Sequence, residues 1–116
     1  MSYIDGFVLA VPNEKKQAYL KHAQDCVPIF KKYGALRLVE NWGVEVPEGE
    51  LTSFPMAVQV KPDETVLFSW IEWPSKEVRD QGMEALVKEP FFAEEHDIPF
   101  DGKRMIFGSF ETILDA

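Results

Sequence analysis

The strands that this sequence predicts are apolar on both faces, and this feature constrains the fold more than any other. Successive side chains of a strand point to opposite faces, so a sheet with one face in water alternates apolar and polar residues. The predicted strand at 3–11 instead places apolar side chains at both parities: Phe7, Leu9 and Val11 on one, Ile4, Val8 and Ala10 on the other. The predicted strands at 66–73 and 103–114 show the same pattern. Both faces of the sheet must therefore be covered.

The order of the predicted elements is that of a ferredoxin-like α+β fold. In chain order they are a strand at 3–11, a helix at 14–33, a strand at 35–46, a β-hairpin of strands at 56–60 and 66–73, a helix at 75–89 and a strand at 103–114. This is a βαββαβ order with an extra hairpin strand, in which two helices lie on one face of an antiparallel sheet. Pro28 should bend or split the first helix, and Gly34 should end it in a left-handed conformation. We expect a single domain over residues 1–116.

The second face of the sheet needs a cover that the chain itself does not supply. Two helices cover one face, and an exposed apolar patch as large as a sheet face is a liability for a folded protein. An identical subunit related by a two-fold axis is the simplest cover. The alternative is that residues 91–99 fold back over the open face, although this segment is too short to cover a whole sheet. The sequence therefore predicts a homodimer, a dimeric α/β barrel that associates through its sheets.

The charge pattern argues against nucleic acid and membranes as partners. The formal net charge is −8, and the 12 Lys and Arg residues are scattered rather than gathered into the basic stripe that phosphate binding requires. Asp5 interrupts the first apolar run, so the N-terminus does not resemble a signal peptide, and no apolar run approaches the ~18 residues of a membrane span. Cys26 is the only cysteine, which is typical of a protein from a reducing compartment. We expect a cytoplasmic protein.

Four blocks of the sequence resemble the YbaA-like family of small bacterial proteins. The blocks are YIDGFVLAVP, KKYGALRLVENW, FSWIEWPSKEVRD and IPFDGKRMIFGSFE, and the resemblance covers essentially the whole chain. That family is similar in fold to the dimeric α/β-barrel superfamily, in which two ferredoxin-like subunits pack their sheets together. The resemblance implies a fold and an assembly but no activity. The superfamily includes cofactor-independent monooxygenases, lactone isomerases, haem enzymes and proteins without a known reaction, and fold alone does not determine function.

The sequence indicates no cofactor and no metal. His22 and Cys26 lie one helical turn apart, a spacing that can chelate a transition metal, but His96 is the only other histidine. Structural zinc sites usually have four ligands, and haem commonly takes a proximal histidine. The phosphate-binding motif G-x-G-x-x-G and the nucleophile motif G-x-S-x-G are both absent from the chain. Cys26 is better explained as a small core residue.

Charged residues within the predicted strands are the best candidates for a functional site. A buried charge must be paired or must shift its pKa, and such shifted groups concentrate at functional sites. Glu40, which shares a face with Trp42, and Glu72 are the candidate general bases. Arg37 and Arg104 are the candidates for holding an anionic group of a ligand. The alternative is structural: Arg37 or Arg104 forms an ion pair with Glu72 or with Glu111.

Aromatic side chains offer walls for a binding pocket. Trp42 and Trp70 suit a flat organic molecule, although aromatic residues at strand spacing more often belong to a core or an interface. Three functions follow as hypotheses. The first is a homodimer that binds a small organic ligand between sheet and helices. The second is a cofactor-independent monooxygenase or isomerase acting on an aromatic or lactone-like substrate, and the third is a structural or interaction protein without a pocket. We favour the first.

Overall fold

In the part of the chain that the structure describes, four strands form one antiparallel sheet in the order that a ferredoxin-like fold requires. The computed structural model describes residues 2–94 and 97–116. The strands are β1 (Tyr3–Pro12), β2 (Arg37–Trp42), β3 (Glu64–Trp73) and β4 (Ile106–Glu111). They lie in the spatial order β2-β3-β1-β4, and each neighbouring pair is antiparallel. The predicted α+β arrangement is confirmed, with β2 and β4 shorter than the predicted 35–46 and 103–114.

Two long helices and two short ones complete the fold of the described residues. They are α1 (Lys16–Lys32), α2 (Phe54–Ala57), α3 (Lys76–Leu86) and α4 (Pro90–Ala93), and a 3₁₀ turn (Asn13–Lys15) precedes α1. Because α1 continues through Pro28 as one helix, the predicted split does not occur. Gly34 follows α1 with a φ of +110°, the left-handed conformation predicted for this position.

The helices cover one face of the sheet and enclose the core. Cys26 and Phe30 of α1 and Leu86 of α3 belong to a buried cluster that includes Ile71 and Trp73 of β3. Trp73 is fully buried, and its ring lies edge-on to Phe30 with 6.2 Å between the ring centroids. Burying a large apolar side chain contributes roughly 1.5–3 kcal/mol. This cluster therefore fixes both long helices on the sheet.

A buried carboxylate joins β1 to three other elements. Asp5 is 4% exposed and accepts hydrogen bonds from Trp73 Nε1 of β3 at 3.0 Å and from Ser109 Oγ of β4 at 2.6 Å. Arg79 of α3 completes the cluster with an ion pair of 3.0 Å from its Nε. A buried charge is tolerated when it is paired and hydrogen-bonded in this way. Asp5 thus fastens α3 and β4 to the centre of the sheet.

The extra hairpin strand predicted at 56–60 is wrong. The segment contains the end of α2 instead, and the sheet of the described residues has four strands. Ser53 caps α2 by accepting a hydrogen bond from the backbone N–H of Met56 at 3.1 Å, and Pro55 lies in the first turn, where proline costs no helical hydrogen bond. Gln59 then takes a φ of +48°, which a strand residue does not adopt. A helix-start signal overrides the β-prone composition of this segment.

The second face of the sheet is apolar and only partly covered. Beyond α2, the fully buried Val58 packs on Val8, Ala10 and Val66 and so covers one end of this face. The rest is an open groove of about 580 Å³, which we call the open face. Its main apolar side chains are Ile4, Phe68, Trp70, Ile106 and Phe110. The two-sided apolarity predicted from the sequence is confirmed.

The described part of segment 91–99 lies on the helix side rather than over the open face. Phe92 packs edge-on against Phe30 of α1 with 5.7 Å between ring centroids, and Phe91 lies 5.1 Å from Phe92 by the same measure. The alternative cover considered from the sequence is therefore wrong. Within residues 2–94 and 97–116, no helix has the length and apolar character needed to cross a membrane.

Candidate ligand-binding chamber

A chamber of about 160 Å³ lies between the sheet and α1. The strands β1, β2 and β3 form its floor, α1 forms one wall, and residues from the C-terminal third of the chain close it. Most of its lining is apolar, so the few polar groups are the points at which a ligand could be held. The main apolar lining residues are Phe7, Leu9, Leu38, Ile71, Phe100 and Met105.

Three polar side chains meet on the chamber wall. The Tyr19 hydroxyl of α1 donates a hydrogen bond to Glu40 Oε1 of β2 at 2.6 Å. Ser69 of β3 is the cross-strand partner of Glu40 and is 3% exposed, and its hydroxyl lowers the pKa of Tyr19. Tyr19 is buried, whereas Glu40 remains in contact with solvent. The chamber is therefore accessible to water beside the carboxylate.

The surroundings shift the pKa values of Glu40 and Tyr19 on this wall. Partial desolvation of the carboxyl group raises the pKa of Glu40 above the ordinary glutamate value even though part of the side chain is exposed, and the hydrogen bond from Tyr19 offsets part of the shift. Burial also raises the pKa of Tyr19, and the negative charge of Glu40 raises it further. Tyr19 is thus a neutral donor at physiological pH, while Glu40 takes up a proton more readily than a glutamate in water.

Cys26 and His22 border the chamber as a neighbouring pair. Cys26 Sγ lies 4.0 Å from His22 Nδ1, and burial, together with the charges of Glu40 and Asp25, raises the pKa of the thiol to about 12. Nucleophilic attack and metal ligation both require the thiolate, which is scarce at neutral pH when the pKa is this high. The described residues hold no group of three or more metal-ligating side chains. His96, the other histidine considered above, lies outside the described residues.

Two candidate residues form an ion pair on the other side of the sheet. Arg37 and Glu72 are cross-strand partners in β2 and β3, and Arg37 Nε lies 2.9 Å from Glu72 Oε2. This is one of the pairs that the structural alternative predicts. Glu72 and Trp70 occupy positions of β3 that lie on the open-face side of the sheet. The structure therefore places Arg37, Glu72 and Trp70 away from the chamber.

Arg104 belongs to a separate network. Its Nη2 lies 2.7 Å from Glu64 Oε2, and its Nε lies 3.0 Å from Asp101 Oδ2. Hydrogen bonds to these carboxylates raise the pKa of the guanidinium and lower the pKa of Glu64 and of Asp101. The partners considered from the sequence, Glu72 and Glu111, are wrong for this arginine. Arg104 precedes β4 in a turn instead of lying in the strand, which directs it to the start of β3.

Trp42 has the same parity as Glu40, as predicted, but packs beside the chamber. Lys16 Nζ lies 4.8 Å from the centroid of the Trp42 ring, a cation–π contact. Trp42 also packs against the buried cluster that contains Leu9 and Leu67. Glu40 is consequently the one residue among the six candidates that lines the chamber.

Sequence reasoning missed Tyr19 and Ser69 as members of the site. Tyr19 belongs to the apolar stripe of the first helix, where an aromatic residue is best explained as core. Ser69 carries a clearer signal, because it lies between Leu67 and Ile71 on the face of β3 that packs against the helices. A buried hydroxyl needs a hydrogen-bond partner. A single serine on an apolar parity thus indicates a polar feature on that face.

The sequence blocks noted above agree with the comparison to known families. Residues 2–102 match the family described as proteins of unknown function, DUF1428. The chain belongs to the DUF1428 family. The uncharacterized protein YbaA of Escherichia coli K12 and its counterpart in Shigella flexneri are each 53% identical to this chain over 116 residues, covering 99% of the chain and 99% of either relative. The resemblance to YbaA-like proteins is confirmed.

A solved structure supports the fold of this DUF1428 protein. It is a dimeric ferredoxin-like protein from an uncultured marine organism, with a TM-score of 0.60 and 9% sequence identity. The match covers 99% of this chain and 98% of the solved chain. At this identity the likeness concerns the fold, and it confirms the ferredoxin-like class.

The chamber of the DUF1428 protein combines apolar walls with one carboxylate. Among its described lining residues, Glu40 is the single acidic side chain, and none is a lysine or an arginine. The wall can accept a hydrogen bond or a proton from a bound molecule. It does not offer the cation that Arg37 or Arg104 would have supplied for an anionic group.

Proposed function

We propose that this DUF1428 protein is a homodimer that binds one small organic molecule in the chamber of each subunit. The observation that carries the proposal is the convergence of apolar walls on the Tyr19–Glu40 hydrogen bond between the sheet and α1. Ligand sites in soluble proteins are typically concave and mostly apolar, with a few polar groups that orient the ligand. The chamber has each of these properties.

The volume of the chamber limits the ligand to about one ring. Its 160 Å³ is similar to the ~150 Å³ of an engineered apolar cavity in another protein that binds benzene. The rings of Phe7, Phe30, Phe92 and Phe100 line the space and offer surfaces on which a flat molecule can pack. A six-membered ring with one or two small substituents fits these limits.

The open face supports the homodimer half of the proposal. Its apolar side chains surround a groove of about 580 Å³, and Phe110 within it is 61% exposed. A patch of this kind is favourable when a partner covers it, and a second copy of the same sheet related by a two-fold axis is a suitable cover. The solved ferredoxin-like protein described above is dimeric, which is consistent with such an assembly. Trp70 and the Arg37–Glu72 pair would then contribute to the interface.

Substitution of Phe110 tests the assembly. Phe110→Lys places a charge within the proposed interface, so sedimentation equilibrium at micromolar concentration should show a monomer for this variant and a dimer for the unmodified protein. Leu20→Lys is the matched control, because Leu20 is 44% exposed on α1 and should leave the dimer intact. A monomeric unmodified protein, or a Phe110→Lys variant that stays dimeric, would contradict the assembly.

Filling the chamber tests the ligand site. Toluene added to methyl-labelled protein should shift the methyl resonances of Leu38, Ile71 and Met105 until they saturate, because these residues line the chamber. Ala23→Leu extends a lining side chain into the space and should abolish the shifts. Ala18→Leu makes the same change at an exposed position of α1 and should preserve them. Resonance shifts that do not saturate, or that persist in Ala23→Leu, would argue against ligand binding in the chamber.

The raised pKa of Glu40 favours a second function, proton-transfer catalysis in the same chamber. Of the two reactions considered from the sequence, isomerisation needs only a base: Glu40 would take a proton from one carbon of an aromatic or lactone-like substrate and return it to another. An unsaturated five-membered lactone incubated with the protein in deuterated water tests this function. Deuterium incorporation that is lost in Glu40→Gln supports catalysis, and incorporation no faster than in buffer rules it out for this substrate class.

A further inference from the structure

We propose that the chamber selects ligands that donate hydrogen bonds, and that it binds a protonated amine attached to a single ring in preference to a neutral or anionic compound of the same size. This inference rests on the proposed ligand-binding function and adds the chemical class of the ligand. Three features of the chamber carry it: the direction of its hydrogen bond, the sign of its charge, and the place where that charge meets solvent.

The hydrogen bond on the chamber wall is directed toward Glu40. Tyr19 has one hydroxyl proton and donates it to Glu40 Oε1 at 2.6 Å, so this proton is already engaged. A carboxylate has about four acceptor positions on its two oxygens, so Glu40 retains capacity for a further donor. A ligand that donates fits this wall better than one that only accepts.

The sign of the charge favours a cationic ligand. Glu40 is the one carboxylate among the described lining residues, and that lining includes no lysine or arginine. Arg37 is paired with Glu72 at 2.9 Å on the opposite face, and Arg104 is paired with Glu64 at 2.7 Å. A bound ammonium group would supply a positive charge beside Glu40, and charge-assisted hydrogen bonds are stronger than neutral ones. A bound carboxylate would meet a like charge instead.

The position of Glu40 suits a ligand with an apolar ring and a charged end. Glu40 is exposed to solvent, whereas the apolar floor is buried, with Leu9 at 2% and Ile71 at 7% exposure. The ring can pack against this floor while the ammonium group stays beside Glu40, in partial contact with water. Partial hydration avoids the large desolvation cost of a fully buried ion pair.

A series of four compounds of nearly equal size tests the inference: benzylamine, benzyl alcohol, toluene and benzoate. Each is titrated into methyl-labelled protein at pH 8, where the amine is protonated. Benzylamine should bind about tenfold more tightly than benzyl alcohol, the difference expected between a charged and a neutral hydrogen bond. Benzoate should give no saturable shift. In Glu40→Gln the dissociation constants of benzylamine and benzyl alcohol should agree within about twofold. Glu45→Gln, on an exposed loop, should still bind benzylamine more tightly than benzyl alcohol.

The outcomes distinguish this inference from the proposed function. If toluene and benzyl alcohol bind in the chamber but benzylamine binds no more tightly, or if benzoate binds best, the site exists and the amine preference is wrong. A preference that persists in Glu40→Gln also overturns the inference, because another group would then be the acceptor. If none of the four compounds shifts the chamber methyl resonances in a saturable way, the proposed function itself is wrong.

Discussion

The hydroxyl of Tyr19 donates a 2.6 Å hydrogen bond to Glu40 and so joins α1 to the edge strand β2 across the chamber. The two residues are separated by 21 positions in the sequence, and only the folded chain brings them together. The bond engages the phenol proton and leaves the carboxylate as the accepting group of the wall. The chemistry proposed for the chamber depends on this pair.

Removing the phenol hydroxyl should raise the pKa of Glu40 further. The hydrogen bond from Tyr19 lowers that pKa and opposes the effect of burial, so Tyr19→Phe leaves the effect of burial unopposed. Titration of the Glu40 carboxyl carbon by NMR measures the change. Tyr33→Phe is the matched control: Tyr33 donates to Glu89, so this variant should raise the pKa of Glu89 and leave that of Glu40 unchanged. An unchanged or lower Glu40 pKa in Tyr19→Phe would contradict the assigned donor.

The raised pKa of Glu40 should make the protein less stable as pH rises through the range just above the ordinary glutamate pKa. In that range the native state holds a proton on Glu40 that the unfolded state has released, so the free energy of unfolding falls with increasing pH. Glu40→Gln removes this pH dependence. The difference in free energy of unfolding, variant minus unmodified protein, should therefore be larger at pH 7 than at pH 4. Urea denaturation at both pH values measures the difference. The opposite sign would mean that the native environment favours the ionised form of Glu40.

Cys26 should react slowly with thiol reagents in the native protein. With a pKa of about 12, on the order of one thiol in ten thousand is ionised at pH 8, and the residue is 8% exposed. Dithiobis(nitrobenzoic acid) should therefore modify Cys26 at a rate that rises sharply when urea unfolds the chain. The double variant Cys26→Ala with Ala18→Cys carries its thiol at an exposed position of the same helix and should react at once. Equal rates for the two proteins would show that the Cys26 thiol is not buried and that its pKa is not raised.

Asp5→Ala should lower the free energy of unfolding by about 3–5 kcal/mol, because it leaves buried partners without their carboxylate. The affected groups are the Trp73 indole, Arg79 and Ser109, which all donate to Asp5. Ser109→Ala removes one of these bonds and should cost about 1–3 kcal/mol. Asp25→Ala breaks an exposed pair with Lys21 and should change stability by less than about 1 kcal/mol. Chemical denaturation measures all three, and equal losses for Asp5 and Asp25 would contradict the anchoring role.

The fold was predictable because its strongest signals are local and periodic. Side chains alternate between the two faces of a strand, and residues 3–11 and 66–73 are apolar at both parities. This pattern shows that both faces of the sheet are apolar, and it requires no knowledge of the strand order. The error at 56–60 has a local cause as well. Ser53 and Pro55 form a helix-start signal that outweighs the apolar composition which follows, and giving capping precedence over composition would have predicted α2.

The site was less predictable because it depends on contacts between distant segments. Parity identified Glu40 and placed it on the opposite face from Arg37, and the structure agrees on both points. Parity does not reveal that Tyr19, on a helix, supplies the partner of Glu40. Nor does it show that the chain turns before β4 and carries Arg104 to Glu64. These pairings follow from helix placement and strand boundaries, which a local pattern leaves open.

The most direct test of the ligand-binding chamber is diffraction from crystals soaked with iodobenzene, a single-ring compound whose iodine atom is located by anomalous scattering. We predict one iodine peak in each subunit within the chamber, between the sheet floor at Ile71 and the wall at Phe100. Iodine peaks confined to the open face, or no peak at saturating concentration, would show that the chamber does not take up a ligand of this size and would contradict the proposed function.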